Sequence, residues 1–129
     1  MAVEFEISEV FPTTCSELYY AWLSSDGHSA MTGSPAEVSD EVGAKFTAWD
    51  GYITGKNLAL DPGKRILQTW RTSEFDDKDP DSILEILLTP VKQGSRLTLR
   101  HTNLPLHGMQ YKEGWVESYF EPMREYFAD

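Results

Sequence analysis

KFTAWDGYITGKNLALDPGKRILQTWR, residues 45–71, decides the architecture. Asp50-Gly51 is a dipeptide that tolerates the positive φ of a tight hairpin turn, so it predicts strands at Lys45–Asp50 and Tyr52–Leu60 on either side. Asp61-Pro62-Gly63-Lys64 puts proline and glycine at the two central positions of a type II turn. Arg65–Arg71 is then the next strand. Strands adjacent in sequence and joined by tight turns pair antiparallel, so this stretch is a meander.

The same pattern extends in both directions. Ser82–Val91 and Ser95–Asn103 form another hairpin across Lys92-Gln93-Gly94, after a charged loop at Asp76–Asp81. Ahead of the meander, residues 3–10 alternate Val3, Phe5 and Ile7 with Glu4, Glu6 and Ser8, which predicts a half-buried strand ending at Pro12. Thr14-Cys15-Ser16-Glu17 is a capping box opening a helix through about Leu23, with Leu18, Ala21 and Trp22 on one face. Ser24–Gly33 reads as a short, irregular turn of helix interrupted at Gly27 and Gly33, and Ala36–Ser39 as a short strand. From Gln110 onward Tyr111, Trp115, Ser118, Tyr119, Met123 and Tyr126 recur at helical spacing. Pro122 cannot donate to the Ser118 carbonyl and predicts a kink or an irregular last turn. With no repeat and no linker, residues 1–129 read as one α+β domain. An antiparallel sheet can leave one face wet, but the other needs a cover, and the aromatic-striped C-terminal helix is that cover.

Composition excludes several classes of function. The 129 residues carry 11 basic and 21 acidic side chains, a net charge of −10, which repels phosphate backbones and argues against a nucleic-acid partner. A single cysteine, Cys15, builds neither a disulfide framework nor a thiolate metal site and suits a cytoplasmic setting. The opening MAVEFEISEVF lacks a basic and then apolar leader, so no signal peptide is expected. No stretch approaches the roughly 18 apolar residues of a membrane span.

Three segments carry a family resemblance: GAKFTAWDGYITGKNLALDPGKRILQTWRTSEF (43–75), SILEILLTPVKQGSRLTLRHTNLP (82–105) and YKEGWVESYFEPMREYF (111–127). Together they resemble the bacterial activator-of-heat-shock-protein-90-ATPase homologue domains of the START-like (SRPBCC) helix-grip superfamily. The most specific matches are Gln68-Thr69-Trp70 and the segment from Gly114-Trp115 to Tyr119-Phe120. The resemblance implies a curved antiparallel sheet wrapped on a long C-terminal helix, with short helices after the first strand. It also implies a ligand-sized cavity between sheet and helix. The eukaryotic activator behind the family name carries a second domain outside the resembling stretch, so a heat-shock protein 90 homologue is a disfavoured partner. Superfamily members include carriers, cyclases and receptors, so the fold alone names no ligand.

No local motif marks catalysis, metal or cofactor. His101 and His107 lie six apart across a proline turn, at no zinc spacing, and neither a nucleophile elbow nor a glycine-rich phosphate loop occurs. What remains is a set of side chains that alternation can aim inward. Leu97 and Leu99 share a strand face with His101. Gln68 and Trp70 share a face with Ile66, which alternation alone does not orient. Trp115 and Tyr119 stand on the covering helix, Trp115 as core packing and Tyr119, with Trp70, as core or cavity wall. These seven, Gln68, Trp70, Leu97, Leu99, His101, Trp115 and Tyr119, are the candidate lining of a site for a small apolar or aromatic ligand. A buried His101 needs a partner, from a neighbour such as Tyr119 or Trp70, from a ligand, or from a role in proton transfer. Desolvation predicts an imidazole pKa below about 6.5. The alternatives to a binding module are a co-chaperone-like interaction domain and a cyclase or hydrolase using cavity residues.

Overall fold

The computed structural model describes residues 3–128. Six strands, β1 (Val3–Phe11), β2 (Lys45–Ala48), β3 (Ile53–Asp61), β4 (Arg65–Thr72), β5 (Ser82–Val91) and β6 (Gly94–Leu104), form one antiparallel sheet in the order β1-β6-β5-β4-β3-β2. The chain therefore runs as a meander from β2 to β6, and β1 closes the far side against β6. Helices α1 (Cys15–Trp22) and α2 (Ser25–Thr32) follow β1. A 3-10 turn at Leu106–Met109 leads into α3 (Gln110–Trp115), a π turn (Val116–Phe120) and α4 (Glu121–Phe127). This is the α+β helix-grip fold.

Alternation fixes which sheet face is covered. Ile66, Gln68 and Trp70 of β4, Leu84 and Ile86 of β5 and Leu97, Leu99 and His101 of β6 are all buried, whereas the residues between them are less so. Trp115, Tyr119, Phe120 and Met123 are the buried residues of the covering helix. On the outer face Arg65, Glu85, Arg100 and Glu6 form an alternating ionic row across β4, β5, β6 and β1, at 2.7, 3.7 and 2.6 Å.

Five local expectations are corrected. The β2–β3 ladder stops at Ala48 and Ile53, so Trp49 and Tyr52 leave their predicted strands. Asp50 and Gly51 are the central turn residues, at φ 56° and 89°, with the Tyr52 N–H donating to the Trp49 carbonyl at 3.1 Å. Trp49 itself sits at φ 52°, a left-handed conformation that cannot continue the ladder. Segment Ala36–Ser39 makes only an isolated bridge, Glu37 to Thr47. Serines of α2 take its backbone groups instead: Ser29 Oγ accepts from the Ala36 N–H at 2.9 Å and Ser25 Oγ from the Val38 N–H at 3.0 Å.

Helix α2 is regular, not interrupted. Gly33, at φ 79°, is its left-handed C-cap, and a Cβ at Gly27 would lie 2.8 Å from the Ala21 carbonyl oxygen, so the absent side chain lets α1 and α2 meet. At the C-terminus the irregularity falls one turn before Pro122. The Glu121 N–H reaches back to the Val116 carbonyl, widening the helix where proline cannot donate to the Ser118 carbonyl. The capping box is half formed: Thr14 Oγ1 accepts from the Glu17 N–H at 3.1 Å, while the Glu17 carboxylate takes the Thr13 hydroxyl at 2.7 Å.

Candidate functional site

Between one half of the sheet and the C-terminal helix lies a cavity of about 410 Å³. Trp49, Tyr52 and Ile53 wall it from the β2–β3 turn, Trp70 from β4, and Gln110, Tyr111, Gly114, Trp115, Ser118 and Tyr119 from the helix. Its volume falls in the range that holds small organic ligands. The space exists because the helix narrows on this face. Gly114 and Ser118 are four apart, hence on one side of the helix, and a Cβ built on Gly114 meets nothing within 4 Å.

The mouth is polar. The Tyr52 hydroxyl donates to the Glu74 carboxylate, and Gln110 Nε2 donates to the same carboxylate oxygen at 3.4 Å. Glu74 therefore ties the β2–β3 turn to the start of α3. The buried Tyr111 hydroxyl and Thr72 Oγ1 are 2.6 Å apart, and Nε2 of the exposed His107 is 3.2 Å from the same phenol. Burial pushes the Tyr52, Tyr111 and Tyr119 phenols above their ordinary pKa, and for Tyr52 the Glu74 carboxylate adds to the effect. All three remain neutral at physiological pH.

Behind two of the walls sit the buried histidines. The Trp115 indole N–H donates to His101 Nδ1 at 3.0 Å, which leaves the proton on Nε2. That N–H then donates to Ser82 Oγ at 2.8 Å, and the serine hydroxyl donates to the Trp70 carbonyl at 2.7 Å. Donor and acceptor roles thus run one way through four groups, all satisfied. His101 has no exposed surface, and burial lowers its pKa to about 3. His28 repeats the scheme: its Nδ1–H donates to the Trp22 carbonyl at 2.8 Å and its Nε2 accepts from the Tyr119 hydroxyl at 2.7 Å. Burial lowers its pKa too. Both imidazoles are neutral, and each anchors the polar handle of a cavity ring.

Of the seven residues singled out from sequence, Trp70, Trp115 and Tyr119 line this cavity. Leu97, Leu99 and His101 are buried in the packed core outside its lining. The partners of His101 are Ser82 and Trp115 rather than Tyr119, while Trp70 gives it an edge-on ring contact at 4.5 Å. Gln68 also lies outside the lining. Its Nε2 donates to Asn57 Oδ1 at 2.8 Å, and Asn57 Nδ2 clasps the Ser39 and Glu41 carbonyls at 2.9 and 3.0 Å. Trp49, Tyr52, Ile53, Gln110, Tyr111, Gly114 and Ser118 complete the wall. One sequence signal was available for them: a glycine and a serine four apart inside an otherwise aromatic helical stripe.

Acid–base chemistry needs titratable groups within reach of one another and of a bound molecule. The titratable groups of the lining are the Tyr52, Tyr111 and Tyr119 phenols, with Glu74 and His107 hydrogen-bonded to the first two from outside it, and His101 lies behind Trp70 and Trp115. Among the described residues no three histidine, cysteine or acidic side chains gather as a metal site. No helix among them is long and apolar enough to cross a membrane.

The family model "Activator of Hsp90 ATPase homolog 1-like protein" matches residues 12–128. The chain belongs to that family. Among its relatives is the mouse activator of 90 kDa heat shock protein ATPase homolog 1, 29% identical over 125 residues. That alignment covers 95% of this chain and 36% of the mouse protein, so the chain spans about a third of the relative's length. Among solved structures, an HSP90 activator from Plasmodium falciparum superposes with a TM-score of 0.85 at 24% identity, over 95% of this chain and 94% of the other. A Mesorhizobium loti protein follows with a TM-score of 0.80 at 20% identity, over 95% of each chain. These likenesses establish the START-like helix-grip fold.

Proposed function

We propose that this domain binds a small, largely apolar molecule in the cavity between the sheet and the C-terminal helix. One observation carries the reading: a hollow of about 410 Å³ whose ten lining residues include six aromatic rings and no charged side chain. Ring walls give large contact area at low conformational cost, and Ser118, Tyr111 and the unpartnered Trp49 indole N–H supply a few polar contacts for orientation. The hydrogen bonds from Trp115 to His101 and from Tyr119 to His28 preorganise two of those walls, which lowers the ordering cost on binding. The predominance of ring surface over ionisable groups in this lining favours a binding module over a cyclase or hydrolase.

A fragment screen by chemical-shift mapping tests it. Bound compounds should move the Trp70, Trp115 and Trp49 indole resonances together and raise the melting temperature by mass action. Hits that all map to the outer sheet face would overturn the cavity as the binding site.

The relatives' names favour a second reading, contact with an ATPase of the 90 kDa heat-shock class. It is the weaker one, because this chain matches about a third of the mouse activator. We expect no rise in ATP turnover when the domain is added at micromolar concentration to such an ATPase. A several-fold rise would make the surface, rather than the cavity, the working part.

A further inference from the structure

We infer that the ligand preferred by this cavity is a lipophilic cation, an aryl or alkyl group bearing a quaternary or tertiary ammonium, rather than a carboxylic acid or a neutral hydrocarbon. The inference rests on the cavity being a ligand site at all, and it deepens that reading from three observations. The first is the wall. Trp49, Trp70, Trp115, Tyr52, Tyr111 and Tyr119 surround the space, and aromatic faces carry negative quadrupole potential that attracts a cation within about 6 Å of the ring.

The second is the absence of any lysine, arginine or charged histidine in the lining. A carboxylate entering the cavity would lose its water and meet no counter-charge, which is a heavy penalty. Several donors are already committed within the protein: the Trp115 N–H to His101, the Tyr119 hydroxyl to His28, and Tyr52 and Gln110 to Glu74. The buried Trp49 indole N–H has no partner, but it offers an acceptor a neutral hydrogen bond and no counter-charge.

The third is the field at the mouth. Glu74 bridges Tyr52 and Gln110, two lining residues, so a carboxylate stands at the rim. The segment that carries Glu74, Arg71–Asp81, is itself acidic in sequence, with Asp76, Asp77, Asp79 and Asp81 against Arg71 and Lys78, Arg71 being paired with Asp81 at 2.8 Å, on a chain of net charge −10. A cation is drawn toward this opening and an anion is repelled. A primary ammonium holds its water too tightly to enter an apolar space, whereas a quaternary or tertiary ammonium spreads the charge over alkyl groups and is stripped more cheaply. That difference selects the chemical class.

Three phenols that differ only at the benzylic position test the inference: 4-hydroxybenzyltrimethylammonium, 4-neopentylphenol and 4-hydroxyphenylacetate. Each is titrated into the protein at low ionic strength, with calorimetry for affinity and indole resonances for location. The cation should bind at least about tenfold tighter than its tert-butyl isostere, as expected for a desolvated cation in an aromatic box, and the carboxylate weakest of all. Glu74→Gln, which keeps an acceptor for Tyr52 while removing the charge, should narrow the cation's advantage to about threefold. If cation and isostere bind in the cavity with equal affinity, the cavity reading stands and the charge inference falls. A carboxylate that binds tightest overturns the charge inference as well. Failure of all three to shift the Trp70 and Trp115 indoles overturns both readings.

Discussion

The space between sheet and helix is solid at one end and hollow at the other, although one sheet face and one helix build both ends. At the solid end Leu97, Leu99, Leu84, Ile86 and Met123 fill the gap, and His101 and Ser82 are fully enclosed. At the hollow end aromatic rings predominate and a void of about 410 Å³ remains. Residue size on the helix accounts for the difference. Phe120 and Met123 reach the sheet from the turns beyond Tyr119, whereas Gly114 and Ser118 leave the sheet side of their turn bare. Trp115 and Tyr119 belong to both ends. Each exposes ring surface to the void and sends its polar handle into the packed side, so the solid half positions the walls of the hollow half.

Trp115→Ala should be the most damaging single change. The ring is 2% exposed and neighbours Trp22, Trp70 and Tyr119 at centroid distances of 6.0, 5.7 and 4.7 Å. Its removal costs about 3–5 kcal/mol by cavity formation and also leaves His101 Nδ1 buried without its donor. Trp115→Phe, which keeps most of the packing but loses the N–H, should cost distinctly less. Urea unfolding measures both, and a loss below about 1 kcal/mol for the alanine variant would mean that the two halves do not share this residue as a wall.

The fold was legible in the sequence because strand alternation, Asp50-Gly51 and Pro62-Gly63 are local signals, and local signals specify a meander. The inward direction of Leu97, Leu99 and His101 followed from the same alternation. Periodicity could not say which buried residues border a void. Trp70 and Gln68 share one strand face, yet Trp70 lines the cavity while Gln68 clasps Asn57. That outcome depends on what stands opposite, and the opposing helix lies more than 40 residues further along the chain. Trp49 and Tyr52 were hidden for another reason. Their position depends on a left-handed φ at Trp49, which no pattern of apolar residues announces. The regularity of the second helix is not legible locally, because glycines at an interhelix contact and at a C-cap look like breaks when taken one at a time.

A gentler probe of the solid half is acid. In the unfolded chain a histidine takes up a proton near pH 6.5, whereas folded His101 does so only at about 3. Between those values the unfolded state binds more protons, so the His101 contribution is constant above 6.5 and stability falls as pH drops through the window. The expected slope is at most about 1.4 kcal/mol per pH unit, or about 2 kcal/mol lost by pH 5. His28, lowered for the same reason, acts in the same direction. Urea midpoints at pH 7.5 and 5.0 should therefore differ, and His101→Gln should shrink the difference while lowering stability at both. An imidazole resonance of His101 that titrates near 6.5 in the folded protein would show this half to be wet.

The smallest expected effect has the opposite sign and lies one residue from the largest. Glycine inside a helix costs about 1 kcal/mol relative to alanine, because it surrenders more backbone freedom on folding. Gly114 accepts that cost although nothing within 4 Å would obstruct a methyl group there. Contrast Gly55, where a Cβ would meet the Thr69 carbonyl oxygen at 2.0 Å and must be excluded on steric grounds. Gly114 is thus tolerated without a packing reason, which is the pattern expected where space is kept for something else. Gly114→Ala should stabilise the protein by about 0.5–1 kcal/mol. Gly114→Leu should extend a side chain into the void and abolish ligand binding while the protein stays folded. If alanine instead destabilises by more than about 1 kcal/mol, the helix closes onto the sheet in solution and the hollow half is as solid as its neighbour. If leucine leaves the affinity of a cavity ligand unchanged, that ligand sits elsewhere.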